Sequence, residues 1–578
     1  MFYLLLLSIA VWLTYWHTIG SGFVSDDIEG LQGYDGKLKK FDYGHLNKWL
    51  LYKLLDKSPT RNHLFSIILH NANVILLFLF LSSHFPTNVS FYTSVIFAIH
   101  PICTQSVAWI SSRGYLISLF FCLLGFNIIS IARTIPIFTQ NIQSLPFALL
   151  IILYFGIYYI SITAQFATLS TFILHMFMGN YFLAALGAIV SFYAGLGIVR
   201  EVINIRKSVF KEQNLERSTK FNISKVIVAI KTLGYYTRIC LFPKRLGLYH
   251  TFEYHYNDKT EKEDRRFWFG FFILVGLLLG LYYGNTVIRF AIIWYLAYVF
   301  VFLNWITIHQ FVSERYVYIP FIGIAIIVSC GLVKLDTLLF GGYPVLLALI
   351  AGLYLMRTWA HLPAYNEEVS FYQSNIWNFP DSEVAFGNLG VVYMKLNLYG
   401  SAFDMWNIAV KINPDYDVAY YNISSVLKQK GDFVGSRDNL KKAIASKHCH
   451  FKELWNTELA QLEHEINYVQ ELNTLNGKLV SLEKEPDKMQ QVKDMRKQLD
   501  EVNNLHKKFE EHRSKQITLI TAEERQLRER LIQLGKDKDD VSKPKNITEL
   551  INARDNNFKY IKEAAEKLSK IEVVNAKT

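Results

Sequence analysis

Repeated apolar segments, each about as long as a bilayer is thick, constrain this chain more than any other feature. A run of roughly 20 apolar residues can cross a membrane as an α-helix, in which every backbone group is paired within the segment. We therefore predict an all-α fold: a polytopic membrane helical bundle of about 11 spans. The predicted spans are 1–19, 63–84, 87–110, 114–132, 145–163, 180–199, 222–242, 267–284, 286–306, 316–334 and 339–357.

Composition changes near residue 360, where the apolar segments stop and Lys, Glu, Asn and Gln become frequent. We expect a membrane domain at 1–360, repeats at 361–450 and a charged helical extension at 451–578. The net charge of +11 does not indicate nucleic-acid binding, because many of the positive residues flank predicted spans. The basic loop 200–221 predicts a cytoplasmic side. With an odd number of spans, the first loop and the C-terminus then lie on the non-cytoplasmic side, in the periplasm or lumen.

A 34-residue period begins near residue 380. This period, with small residues at helix crossings, is typical of tetratricopeptide helical repeats. Beyond it, apolar residues at steps of three and four predict amphipathic helices that form a hairpin or short coiled coil. Such helices offer a surface for a protein complex through 455–578. The residues that repeat 34 positions apart are Pro380 and Pro414, Ala385 and Ala419, Asn388 and Asn422, and Ala409 and Ala443.

Acidic residues follow the first predicted span at once: Asp26, Asp27 and, close by, Glu29. A carboxylate at this boundary can act as the general base that deprotonates an acceptor hydroxyl. It can instead hold a divalent cation that offsets lipid phosphate charge. A span-end anchor or helix cap is the alternative without chemistry. The sequence leaves these possibilities open, so the need for a metal is undecided.

A second polar cluster runs from His100 to Arg113, with Gln105 between them. Ionisable residues inside a membrane usually face a cavity or a partner. Pro101 breaks the helix there, which leaves backbone groups to be satisfied by protein or water. The planar guanidinium of Arg113 suits phosphate oxygens. The alternatives are helix packing for His100 and a boundary position for Arg113.

The third cluster is Glu314 and Arg315, at the mouth of a later span. Arg315 is a candidate for binding a lipid phosphate or pyrophosphate, and the alternative is an anchor in the interface. Glu29, Gln105 and Glu314 are also candidates for lining a substrate cavity. His70, within the span 63–84, and His250, after the span 222–242, are weaker cavity candidates. An interhelical hydrogen bond is the simpler expectation for His70.

In this order, the motifs resemble the transmembrane and tetratricopeptide-repeat-containing O-mannosyltransferases and their bacterial relatives, which belong to the GT-C class of glycosyltransferases. The resemblance extends over roughly residues 1–450 and implies a GT-C-like fold with an active site facing the periplasm or lumen. The similar segments are Asp26-Asp27, 62–73, 100–113, 235–250, 314–320 and 380–390.

The resemblance also implies an activity. A mannose-like hexose would move from a polyprenyl-phosphate donor to Ser or Thr hydroxyls of a protein. Asp26 or Asp27 would be the base, Arg113 and Arg315 would bind the donor phosphate, and the repeats would recruit the acceptor polypeptide. We add His100 as a candidate phosphate ligand.

Departures from the family pattern support an alternative function. The family usually has carboxylates where Gln105 and 114–115 stand, and a Ser-Lys-Glu motif near 164–165. Their loss is expected of a catalytically silent GT-C-like scaffold in the membrane. Such a protein would assemble partners through its repeats and C-terminal helices.

Overall fold

A computed structural model describes residues 1–28, 51–135, 145–210, 223–248, 250, 265–305, 312–447, 449, 451–483, 488–508 and 511. Within these residues the regular structure is helical, which confirms the all-α prediction. In chain order the helices are α1 Phe2–Tyr15, α2 Pro59–Ser82, α3 Thr87–Ile99, α4 Thr104–Ala108, α5 Arg113–Ala132, α6 Leu145–Ala164, α7 Thr171–Phe177, α8 Tyr181–Phe210, α9 Ile223–Leu241, α10 Arg265–Tyr283, α11 Thr286–Val299, α12 Phe321–Phe340, α13 Val345–His361, α14 Glu368–Asn378, α15 Glu383–Lys395, α16 Tyr399–Ile412, α17 Asp417–Gln429, α18 Phe433–Ala445, α19 Lys452–Leu482 and α20 over 489–508.

The chain divides into two compact units, Met1–Tyr416 and Asp417–Thr578. The first unit contains α1 to α16, so the first helices after the last span belong to the same unit as the membrane helices. The predicted division into 1–360, 361–450 and 451–578 stays a prediction.

Six helical segments are long and apolar enough to cross a membrane within the described part of the chain. Five shorter apolar helices lie beside them in the sequence. The structure thus supports a polytopic membrane protein, while the count of about 11 spans and the orientation stay predictions. The six segments are Phe2–Gly20, Pro59–Ser82, Ile110–Ala132, Arg265–Tyr283, Phe321–Phe340 and Val345–Tyr365.

Buried polar side chains of α2 join it to its neighbours. Ser58 caps this helix, and Pro59 suits its first turn because proline has no N–H to satisfy there. The Nε2 of His70 lies 3.2 Å from the carbonyl oxygen of Ala98 on α3, and its Nδ1 lies 2.8 Å from the hydroxyl of Tyr318. Asn73 donates to the carbonyl of Leu116 on α5 at 3.0 Å. The interhelical role expected for His70 is therefore what the structure shows.

The helices after the last span keep the 34-residue spacing. Helices α15 and α17 begin at 383 and 417, and α16 and α18 begin at 399 and 433. Ala385 and Ala419, at equivalent positions of α15 and α17, are both completely buried. Within its own unit, each pair packs as two adjacent helices. The tetratricopeptide assignment itself stays a prediction.

Gly390 permits the close approach of α15 and α16. A Cβ at this position would lie 2.3 Å from Nε1 of Trp406, which is itself buried and donates to the carbonyl of Gly387. We expect Gly390→Ala to lower the free energy of unfolding by about 1–3 kcal/mol through overpacking. Thermal unfolding of the purified protein measures this. Gly400→Ala on α16 is the control, because its Cβ would meet nothing within 4 Å; equal losses in the two variants would contradict the packing argument.

The second unit contains an antiparallel pair formed by α19 and α20. The hydroxyl of Tyr468 donates to Oδ1 of Asn503 at 3.0 Å, and Arg496 pairs with Glu483 at 2.9 Å. Trp455 stacks on Tyr421 with ring centroids 4.9 Å apart, which joins α19 to α17. The helical hairpin is therefore present up to residue 508, and a coiled coil stays a prediction.

Candidate active site

The two adjacent aspartates differ completely in environment. Asp26 is exposed, whereas Asp27 is fully buried. The Oδ1 of Asp27 accepts hydrogen bonds from the backbone N–H of Ser111 at 2.7 Å and from its hydroxyl at 2.5 Å. Its Oδ2 accepts from the N–H of Val24 at 3.4 Å. Asp27 therefore fixes the loop, and Asp26 is the carboxylate that a ligand can reach.

Burial raises the pKa of Asp27 to about 6, because it penalises the charged form more than the hydrogen bonds from Ser111 and Val24 favour it. The charge of Arg113 acts in the same direction as those hydrogen bonds. The argument against Asp27 as the base is its enclosure: it is fully buried, and Ser111 and Val24 occupy both of its carboxylate oxygens.

The loop 21–28, which we call the aspartate loop, is held on several sides. The backbone N–H of Gly22 donates to the carbonyl of Asn366 at 2.8 Å, and the hydroxyl of Ser21 donates to Oδ1 of the same residue at 2.9 Å. His63 lies 3.1 Å from the carbonyl of Gly22, and Trp109 donates to the carbonyl of Val24 at 3.3 Å. The aspartate loop therefore joins the start of α2, the segment before α5 and the segment after α13.

Asp26 faces a cavity of about 200 Å³. One wall is the aspartate loop, through Ser25, Asp26 and Ile28, and the other is formed by α14 and α15. Lys395, on α15, forms a 3.6 Å ion pair with Glu368, on α14, and more than half of the lysine side chain is exposed. A polar cavity beside an exposed carboxylate can hold a hydroxyl-bearing side chain. The residues that α14 and α15 contribute are Glu368, Tyr372, Asn388, Val391, Val392 and Lys395.

Arg113 is buried at the start of α5 and bound to protein. Its Nε donates to the hydroxyl of Ser66 at 3.1 Å, and its Nη2 donates to the backbone carbonyl and the side-chain oxygen of Asn62 at 2.9 and 3.0 Å. Its guanidinium also lies over the ring of Phe65. These bonds explain how a buried cation is tolerated near Asp27, and its predicted role in phosphate binding stays a prediction.

Arg315 is linked to the aspartate loop through Trp109. Its guanidinium is 4.8 Å from the ring centroid of Trp109, the residue that donates to Val24. Its Nη1 is buried and has no hydrogen-bond partner among the described residues. Gln105 accepts from the backbone N–H of Arg315 at 2.7 Å and from the hydroxyl of Ser313 at 2.9 Å. Gln105 therefore fixes the turn that carries Arg315.

Glu314 and His250 form a separate, completely enclosed pair. Nε2 of His250 lies 3.5 Å from Oε1 of Glu314, and the same oxygen accepts from the backbone N–H of Gly247. Burial raises the pKa of Glu314, against the lowering effect of His250. The pair ties Gly247 and His250 to the turn before α12. The structure thus gives both residues a structural contact and does not place them on the Asp26 cavity.

His100 is also enclosed. Its Nδ1 accepts from the backbone N–H of Ile102 at 3.1 Å and so caps the short helix Pro101–Cys103. Its ring centroid lies 4.2 Å from those of Phe321 and Tyr354. These contacts match the helix-packing alternative, and its predicted role in phosphate binding stays a prediction. Glu29 lies outside the described residues.

Two observations concern a metal and the departures from the family pattern. Among the described residues, no three His, Cys, Asp or Glu side chains come together in a way that could hold a metal ion, so we derive no step through a cation.

A Cβ at Gly114 would lie 2.9 Å from the carbonyl oxygen of Ala164. There is thus no room at Gly114 for a carboxylate side chain without movement of α6.

Several residues that build this site are not among the candidates that the sequence predicts. Ser111 lies within the segment 100–113, and its position beside Arg113 was an available signal. Asn366, Glu368 and Tyr372 lie just after the last span, where no local pattern distinguishes them from a connection to the repeats. Asn366 and Tyr372 matter through contacts with Ser21 and Ser25, about 345 positions earlier in the chain. Glu368 matters because it lines the Asp26 cavity.

Comparison with known proteins gives a distant relationship. No protein-family model matches the chain, and no solved structure matches it. The chain is 24% identical over 461 residues to a protein named protein O-mannosyl-transferase F38B6.6 from Caenorhabditis elegans. The aligned region covers 72% of this chain and 63% of the relative, so the chain spans less than two thirds of the relative's length. This membrane protein is therefore a distant homologue of a protein O-mannosyl-transferase.

Proposed function

We propose that this chain is an integral-membrane glycosyltransferase. It moves a mannose-like hexose from a polyprenyl-phosphate donor to Ser or Thr hydroxyls of a protein on the non-cytoplasmic side. The observation that carries the proposal is the exposed carboxylate of Asp26, fixed beside a polar cavity by the buried carboxylate of Asp27. The distant homology and the membrane-span helices support the same reaction class.

The proposed reaction is one displacement at the anomeric carbon. The acceptor oxygen forms a bond to C1 of the sugar, and the bond from C1 to the phosphate oxygen breaks with its electron pair. The lipid phosphate leaves as the anion, and the acceptor proton passes to the carboxylate of Asp26, which acts as general base. Asp26 is the better candidate for this role because Asp27 is enclosed by Ser111 and Val24.

Arg315 is the donor-phosphate ligand in this proposal, because its Nη1 has no described partner and its guanidinium stacks on Trp109. We expect Arg315→Ala to raise the KM for the donor about tenfold or more, since a charge-assisted hydrogen bond to phosphate is lost. Arg315→Lys keeps the charge but lacks the planar guanidinium, so its donor KM should lie between those of the wild type and Arg315→Ala. Initial rates over a donor series at fixed acceptor measure this, and an unchanged donor KM in Arg315→Ala would exclude the role.

A catalytically silent scaffold is the second candidate. Gln105 carries no charge, and Gly114 leaves no space for a carboxylate. In this alternative the repeats and 455–578 assemble protein partners, and the aspartate loop has only a structural role.

The deciding experiment is transfer of radiolabelled mannose to protein. The purified full chain, in detergent with added lipid, is given dolichyl-phosphate mannose or undecaprenyl-phosphate mannose and a mixture of Ser- and Thr-containing polypeptides. Radiolabelled acceptor polypeptide that forms only when the purified chain is present supports the transferase. If neither donor yields product while the folded protein pulls down partners only when 455–578 is present, the scaffold is supported and the transferase is not.

A further inference from the structure

The helices after the last span reach into the Asp26 site. The hydroxyl of Ser25 donates to Oδ1 of Asp26 at 3.5 Å. The hydroxyl of Tyr372, on α14, donates to the Oγ of Ser25 at 3.3 Å. Tyr372, Ser25 and Asp26 all line the one cavity. A chain of hydroxyls thus runs from a helix outside the membrane spans to the exposed carboxylate.

The backbone at Ser25 is also unusual. Its φ is +52°, in the left-handed region that residues with a Cβ rarely adopt. Such a conformation persists only where its surroundings hold it, and it is concentrated at functional sites. Here the contacts that hold it come from Tyr372 on one side and from the Asp27 anchor on the other.

From this geometry we propose that Tyr372 is a positioning residue for Asp26, which it orients through the hydroxyl of Ser25. This inference rests on the proposed function and adds to it that α14 completes the active site. Tyr372 is almost fully buried, so its hydroxyl has a fixed place. The two hydrogen bonds are long for O–H···O contacts, and hydrogen bonds at catalytic sites often tighten only when substrate binds. The hydroxyl chain then holds the carboxylate toward the acceptor.

The test compares Tyr372→Phe, Ser25→Ala and the double variant in the mannose-transfer assay. Each single change removes one hydroxyl and keeps the remaining packing. We expect kcat to fall about tenfold in each, with little change in donor KM or melting temperature. The double variant should be no slower than the singles, because both changes break the same chain. In an Asp26→Asn background, Tyr372→Phe should have no further effect.

Tyr393→Phe is the matched control, because the hydroxyl of Tyr393 also joins α15 to α14, accepting from Gln373 at 3.1 Å, without contact to Ser25. A rate loss in Tyr393→Phe equal to that in Tyr372→Phe, or additive effects in the double variant, would overturn the proposal.

If the wild-type protein makes no product, the proposed function fails, and hydrogen exchange of residues 22–28 then decides the positioning role. Faster exchange in Tyr372→Phe than in Tyr393→Phe supports it, and equal exchange overturns it.

Discussion

Asp26→Asn is expected to lower sugar transfer by about 10²- to 10⁴-fold, the usual contribution of a general base. The amide is nearly the same size as the carboxylate but does not accept the acceptor's proton. Because Asp26 is exposed and its side chain accepts a long hydrogen bond from Ser25, the fold should be unaffected. Initial transfer rates at saturating donor and acceptor measure the loss, and the melting temperature tests the fold.

The matched control is Asp404→Asn, which neutralises another exposed carboxylate of the same unit, on α16 and outside the cavity. Its rate should equal that of the wild type. Transfer by Asp26→Asn at the wild-type rate would refute the assignment of the base. Loss of transfer in both variants would instead point to a general effect of surface charge.

Asp27 should make the stability of the protein depend on pH. Its pKa is raised from 3.8 to about 6 in the folded protein, so the folded state binds the proton more tightly than the unfolded chain. The stabilising contribution of Asp27 is therefore fully present below about pH 4, where the carboxyl is protonated in both the folded and the unfolded chain. As the pH rises to about 6 and beyond, that stabilisation is lost, and the difference amounts to about 3 kcal/mol at pH 7.

Asp27→Asn should remove this part of the pH dependence, because the amide does not ionise but can still accept from Ser111. The measurement is the melting temperature at intervals from pH 4 to 7.5 in both proteins. Their difference isolates Asp27 from other groups such as Glu314, which changes stability in the same direction. Parallel curves would contradict the raised pKa. Ser111→Ala should have the opposite effect. It removes a hydrogen bond to the ionised carboxylate, so the melting temperature of this variant should fall more steeply with pH than that of the wild type.

The elements that sequence patterns predict well here are those with local signals. Apolar length predicts a helical membrane bundle, and six helical segments in the described part of the chain are long and apolar enough to cross a membrane. The 34-residue period reappears in the spacing of the starts of α15 and α17 and of α16 and α18. The different environments of Asp26 and Asp27, one exposed and one buried, have no local sequence signal, because both residues follow the same span. They are decided by Ser111, 84 positions away, which encloses one carboxylate and leaves the other exposed. Likewise, the alternatives for Arg113 depend on Asn62 and Ser66, whose positions are fixed only when α2 and α5 pack together.

The hydrogen bond between Gly22 and Asn366 has a consequence for synthesis of the protein. Residues 21–28 leave the ribosome before their partners Asn366 and Tyr372, which follow only after all the predicted spans have been made. A nascent or truncated chain that ends before residue 366 carries both aspartates and still lacks the contacts that shape their loop. Under the proposed function, sugar transfer should therefore begin only after the segment that contains Asn366 and Tyr372 has been made.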